Sequence, residues 1–270
     1  MSSQIKAHKI RINILKMINK GESSHIGSAL SCVDLLTCIY SSFLNFDSKN
    51  PLSSKRDFFI LSKGHAGAAI YATLSEFNFF PEEKLYTHYQ NGSDLSGHVS
   101  HKNIPGVEFS TGSLGHGLSV GAGIALGFKK KGLDQKACVL LSDGECDEGS
   151  VWEAAMFSSH HNLNNLIAVI DYNKIQSLEE VSKTLSLEPF SKKWESFGWN
   201  VIEIDGHNHD EIKSALKQSQ KLKSPCCIIA HTIKGKGISF MENSVLWHYR
   251  SPQGKEFKEA LRELETKDIT

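Results

Sequence analysis

The sequence predicts an α/β protein, a doubly wound, mainly parallel sheet with helices on both faces. Short apolar runs rich in strand-forming residues alternate with longer segments of helical periodicity, the pattern of successive βαβ units. Two polar clusters, Ser142-Asp143-Gly144 and Asp171-Tyr172-Asn173, each directly follow such a run, so both sit at strand ends. No internal repeat, low-complexity tract or linker divides the chain, which points to one domain over residues 1–270.

The elements follow in order. Residues 5–19 carry Ile5, Ile10, Ile12, Ile14, Leu15 and Ile18 at roughly helical intervals, and Lys20-Gly21 closes that helix. After a loop containing Ser23-Ser24-His25-Ile26-Gly27, Ser31 is the expected cap of a second helix running to about Leu44. Residues 57–61 form a compact strand, and Ser62-Lys63-Gly64-His65 leads into an alanine-rich helix that ends before Pro81. Residues 87–115 are polar, glycine-rich and histidine-bearing, too long for an ordinary connection and therefore functional in character. The helix expected over residues 114–131 carries Gly115, Gly117, Gly121, Gly123 and Gly127, which suggests close packing on a neighbouring backbone.

A strand at residues 137–141, a helix at 149–161 and a strand at 166–170 make one βαβ unit, with Val151, Trp152, Ala155, Met156 and His160 expected near one helix face. A short helix at 190–197, a strand at 199–204, a helix at 210–222 and a strand at 226–230 continue the alternation. Residues 255–267 read as a charged helical tail at the surface or at a subunit contact.

Composition narrows the functional class. The 30 basic and 30 acidic residues balance, so no global field recruits nucleic acid or an anionic membrane. Residues 1–4 lack a signal-type apolar core, and no run approaches the roughly 18 apolar residues of a membrane span, so a cytoplasmic protein is expected. Six cysteines without CxxC pairing read as buried thiols of a reducing compartment. Thirteen histidines are an excess that a functional site has to explain.

The polar clusters suggest the chemistry. In a βαβ unit the loops after both strands open on the carboxyl edge of the sheet, where open α/β sheets bind ligands. Asp143 and, thirty positions later, Asn173 supply a carboxylate and an amide oxygen, with a nearby backbone carbonyl as a third donor. That all-oxygen set suits Mg²⁺ bridging a diphosphate, and Gly144 lets the backbone come close to the phosphates.

Taken together, the segments resemble the thiamine-diphosphate domain at the amino-terminal end of transketolases, over nearly the whole chain. The resemblance is carried by Ser24-His25-Ile26-Gly27, Leu61-Ser62-Lys63-Gly64-His65-Ala66, Ser96-Gly97-His98, Pro105-Gly106-Val107-Glu108 with Thr111-Gly112-Ser113-Leu114-Gly115, Ser142-Asp143-Gly144 with Asn173-Lys174-Ile175, and Phe240-Met241-Glu242 with Trp247-His248. It implies that Asp143, Asn173 and the Ile175 carbonyl bind Mg²⁺, that Gly144, His65 and His248 meet the diphosphate, and that Gly112 and Leu114 offer backbone groups to the aminopyrimidine. His25, His98 and His248 would be catalytic, as imidazoles titrating near neutrality, and Glu148 would lie at the interface that couples paired active sites. His207 resembles a strand-end turn near the cofactor edge, while His101 and His116 flank motifs without an assigned role. Departures from the family pattern are Ser142 and Ser24 in place of glycines, Ser113 for a common proline, His116 for a common glutamine, and Tyr249-Arg250 for a smaller pair.

Thiamine-diphosphate enzymes of this kind close the cofactor between this domain and a second one that grips the aminopyrimidine, and no motif after Ile175 resembles the second. The resemblance therefore implies the amino-terminal subunit of a split transketolase, paired with a carboxy-terminal subunit in an α₂β₂ assembly. Its activity would be transfer of a two-carbon ketol group from a ketose phosphate to an aldose, with thiamine diphosphate and Mg²⁺ as cofactors. The alternatives are a scaffold or cofactor-binding subunit without catalysis, and a related enzyme such as a deoxyxylulose phosphate synthase.

Overall fold

A computed structural model describes residues 1–266. The elements are α1 (Ser3–Gly21), α2 (Ile26–Ser31), α3 (Val33–Ser42), β1 (Phe58–Leu61), α4 (Gly67–Glu76), α5 (Gly117–Lys130), β2 (Ala137–Ser142), α6 (Gly149–His160), β3 (Leu166–Tyr172), α7 (Val181–Thr184), α8 (Phe190–Ser196), β4 (Asn200–Asp205), α9 (His209–Ser219), β5 (Cys226–His231) and α10 (Gly254–Glu265). The strands form one five-stranded sheet in the order β1-β2-β3-β5-β4, and every pair is parallel.

Because side chains alternate across a strand, the apolar runs feed two cores. Cys138, Leu140, Ile167, Val169, Cys226 and Ile228 pack on one face with residues of α1, α3, α4 and α9. Val139, Leu141, Ala168, Ile170 and Ile229 pack on the other with α5, α6 and α8. This is the doubly wound arrangement that the alternation predicts. Register fixes the edge: Ser142 lies opposite Asp171, which lies opposite Ala230, so the chain leaves β2, β3 and β5 at one level.

Several local expectations change. Ser31 does not cap a long helix; it ends α2, a break at Cys32 separates α2 from α3, and the Ser31 hydroxyl donates to Asp171 at 2.5 Å. Gly21 stays in α1 while Glu22 takes the left-handed turn with φ 49°; a Cβ at Gly21 would lie 2.8 Å from the His88 carbonyl oxygen. On α6 the buried face is Val151, Ala154, Ala155 and Ser158, so Met156 and His160 point outward. In α5 a Cβ on Gly121 would meet Val139 Cγ2 at 2.5 Å, which confirms close approach there, whereas Gly123 and Gly127 face open space. The tail helix α10 seats Ala260 and Leu264 in the first core, and Lys267 lies outside the described residues.

Candidate active site

The carboxyl edge of the central strands carries a cavity of about 250 Å³ lined by His25, His65, His98, Gly112, Leu114, Asp143, Gly144, Asn173, Ile175 and His248, among others. Of the residues given a site role from the sequence, Glu148 alone stays outside: it is exposed at the start of α6. His101 and His116 are also exposed and do not line the cavity.

Four loops deliver the histidines. His25 adopts a left-handed backbone with φ 72° just before α2, and its N–H donates to the His248 carbonyl at 2.7 Å. That strained turn sets its ring 5.3 Å from His65, 5.6 Å from His98 and 5.0 Å from His248, measured between centroids. Strain of this kind persists where surroundings over-determine it, commonly at functional sites. Gly64 allows the second loop to pass the 111 segment, since a Cβ there would lie 2.4 Å from the Thr111 carbonyl oxygen. Gly112 sits beside His98, with its Cβ position 3.6 Å from that ring.

Burial disfavours the charged form of His25, His65 and His248. Burial, with the neighbouring His98 and Lys234, lowers His25 to about 4. Burial and Lys234 lower His248 to about 3, and burial and Lys63 hold His65 well below its ordinary range. The direction is opposite to what ordinary imidazole values suggest for these three rings, because desolvation disfavours the charged form.

Asp143 is buried, and its carboxylate accepts from the backbone N–H of Gly144 at 2.7 Å and of Lys174 at 2.6 Å. Burial and the charge of Asp171 push it up to about 7. A carboxylate so placed requires a cation beside it to stay fully ionised. Asn173 Oδ1 accepts from the Ile175 N–H at 3.1 Å, so the 173–175 turn closes on itself next to Asp143. Among the described residues no cluster of three or more His, Cys, Asp or Glu could hold a metal. The fit here is to a hard cation that takes one carboxylate, an amide oxygen and a carbonyl, and completes its shell from a ligand.

The fold also brings here several residues to which the motifs assign no role. Lys63 and Asp171, both fully buried, form an ion pair: burial opposes both charges, yet their attraction raises Lys63 and lowers Asp171. Thr232 also donates to Asp171. Lys234 Nζ lies 2.9 Å from the Ile175 carbonyl, 2.8 Å from that of Gln176 and 2.9 Å from His248 Nδ1. Burial and Lys63 lower it to about 8. A signal is present in Lys234-Gly235-Lys236-Gly237 shortly after a strand, a glycine-flanked cation at the sheet edge. His207 is structural: Nδ1 bonds Asp34 at 2.8 Å and Nε2 accepts the Ile233 N–H at 2.8 Å. All six cysteines are free and buried.

Fold and site together define a class: a doubly wound α/β domain with a polar, histidine-rich ligand cavity at the carboxyl edge of its central strands. Residues 2–265 match the family described as transketolase, thiamine diphosphate binding domain, and the chain belongs to that family. It is 39% identical over 265 residues to an apulose-4-phosphate transketolase subunit from Phocaeicola vulgatus, covering 97% of this chain and 93% of that protein. It is 40% identical to the 6-deoxy-6-sulfo-D-fructose transketolase subunit SqwG of a Clostridium species, covering 97% of this chain and 96% of that protein. The transketolase structure from Campylobacter jejuni superposes with a TM-score of 0.90 at 32% identity, covering 98% of this chain and 43% of that one.

Proposed function

We propose that this chain is the amino-terminal subunit of a two-subunit transketolase, transferring a two-carbon ketol group from a ketose phosphate to an aldose acceptor. The observation that carries this reading is the convergence of His25, His65, His98 and His248 with Asp143 and Asn173 on one cavity. Relatives that are named as single subunits of a transketolase, and that this chain matches nearly end to end, support a separate partner. In this reading residues 1–270 are a single thiamine-diphosphate domain, and the partner is a carboxy-terminal subunit that closes over the aminopyrimidine in a cytoplasmic α₂β₂ assembly.

Bound thiamine diphosphate supplies the carbanion stabilisation that breaking and forming a carbon–carbon bond requires. Asp143, Asn173 and the Ile175 carbonyl hold Mg²⁺, while Gly144, His65, His248 and Lys234 receive the diphosphate. Gly112 and Leu114 present backbone groups to the aminopyrimidine. Ser24 engages Nδ1 of His25 at 2.8 Å, which leaves Nε2 to exchange a proton with substrate oxygens, and His98 serves the substrate hydroxyls beside it. Glu148, exposed outside the cavity, suits a contact with a neighbouring protomer.

The chain should be assayed by itself and with its partner, with thiamine diphosphate, Mg²⁺ and a ketose phosphate. Activity is expected only from the pair, and full activity from this chain by itself would overturn the split-enzyme reading. Calorimetry on Asp143→Ala is expected to show loss of Mg²⁺-dependent cofactor binding.

A further inference from the structure

Glu145 is a carboxylate with no exposure that lies behind the cavity wall and not in it. Its Oε1 accepts from the Ser62 hydroxyl and, at 2.8 Å, from the Gly115 N–H, while Oε2 accepts from the Ser142 N–H at 3.3 Å. Ser62 Oγ in turn accepts the Gly117 N–H at 3.1 Å, at the start of α5. One buried carboxylate thus joins the ends of β1 and β2 to the segment that enters α5.

The same peptide segment has a second anchor. The Ser150 hydroxyl donates to the Gly115 carbonyl at 2.9 Å. Gly115 has φ 85°, and a Cβ on it would lie 2.5 Å from Ser150 Oγ and 2.7 Å from Glu148 Cβ. Both polar backbone groups of Gly115 are therefore held by residues 145 and 150, on either side of the start of α6.

This geometry matters because two parts of the cavity wall meet there. Gly112 and Leu114 come from the segment ending at Gly115, and Gly144 comes from the turn containing Glu145. We infer that Glu145 and Ser150 are positioning residues that fix the spacing between the wall facing the cofactor's aminopyrimidine and the turn facing its diphosphate. The inference rests on the thiamine-diphosphate reading above. It asks nothing of these side chains as direct ligands. Rigid placement of contacts by a supporting layer is what keeps a site within productive geometry.

The test separates the two halves of the cofactor. Binding of thiamine diphosphate with Mg²⁺ is measured by calorimetry on the full chain with its partner, and inorganic pyrophosphate with Mg²⁺ is measured as a competitor. Glu145→Gln, which turns an amide donor toward an N–H, and Ser150→Ala are expected to weaken thiamine diphosphate at least about tenfold, as supporting contacts to a site do. The inhibition constant of pyrophosphate is expected to be unchanged, and Ser150→Thr is expected to restore cofactor binding. Equal weakening of both probes, or of neither, overturns the inference. Absence of cofactor binding by the unsubstituted pair overturns the functional reading and the inference with it. Ser150→Ala keeps the test decisive if Glu145→Gln does not fold.

Discussion

Lys63 and Asp171 form an ion pair in which neither side chain reaches solvent. Lys63 also donates to the Ser28 carbonyl at 3.0 Å, while Ser31 and Thr232 donate to Asp171. The pair thereby pins α2 and the end of β1 against the ends of β3 and β5. Removing one partner from such a pair leaves a buried charge without compensation. Lys63→Met is expected to cost about 3–5 kcal/mol, read from equilibrium urea unfolding. In Lys63→Met/Asp171→Leu part of the loss returns, and the Thr232 hydroxyl, which loses its Asp171 acceptor, keeps the recovery incomplete, whereas Ser31 retains the Ser28 carbonyl at 3.1 Å. A double variant less stable than the sum of the single changes would contradict this account.

Asp34 gives the protein an acid-sensitive contribution to stability. Burial opposes its charge, but the Arg11 guanidinium and the bonds from His207 and His209 outweigh it and hold the carboxyl well below its ordinary range. An unfolded aspartate titrates at about 3.9. Since the folded value is lower, the unfolded chain binds more protons; the contribution is complete above that unfolded value and is lost as pH falls toward the folded one. Asp34→Asn should therefore cost about 3–5 kcal/mol at neutral pH, with a smaller difference from the unsubstituted protein in strong acid. Urea unfolding at both pH values checks the sign, and an equal loss at each would refute it.

Ser24, which stands where the family often has glycine, bonds Nδ1 of His25 at 2.8 Å. Loss of one such bond is worth about 1 kcal/mol, so Ser24→Ala should lower kcat about fivefold with little change in KM. Ser24→Thr should retain most of the rate. Steady-state kinetics of the assembled enzyme would show this, and a change confined to KM would assign the hydroxyl to substrate binding instead.

Tyr249 lines the cavity while 58% exposed, with its ring 4.7 Å from His248 and 5.7 Å from His25. Arg250 steadies the segment through Glu256 and the Trp247 ring. An aromatic wall at the mouth of the site is expected to act on substrate and not on cofactor. Tyr249→Ala should shift the ratio of kcat/KM between two ketose donors by about tenfold, with unchanged affinity for thiamine diphosphate. Unchanged donor ratios would remove Tyr249 from specificity.

The strands and the loops after them are legible in the sequence because each signal is local: an apolar run, then Asp-Gly or an Asn-bearing turn. The four histidines are legible through the motifs that carry them. Ser31 misleads as a helix cap because it ends α2, where its hydroxyl reaches the Ser28 carbonyl and Asp171, 140 positions away, and caps no following helix. The Lys234-Gly235-Lys236-Gly237 pattern marks a cation near a strand end, but which loops Lys234 meets depends on β5 inserting beside β3, which no short pattern encodes. A broad helical period puts Met156 and His160 on the inward face of α6, whereas small residues on the adjoining stripe, Ala154 and Ala155, allow that helix to lie close to its neighbours.

The insertion of β5 between β3 and β4 has a consequence for how the site is built. Asp143 and Asn173 follow two neighbouring strands, but Thr232 and Lys234 reach Asp171 and the Ile175 carbonyl beside them only after β4 and α9 have been laid down and β5 has slotted back beside β3. His248 arrives later still. A chain folded only through β3 holds the acidic loop without Lys234, whose charge faces Asp143 and Asp171. Cofactor held by the finished cavity favours the completed fold over such partly folded chains by mass action.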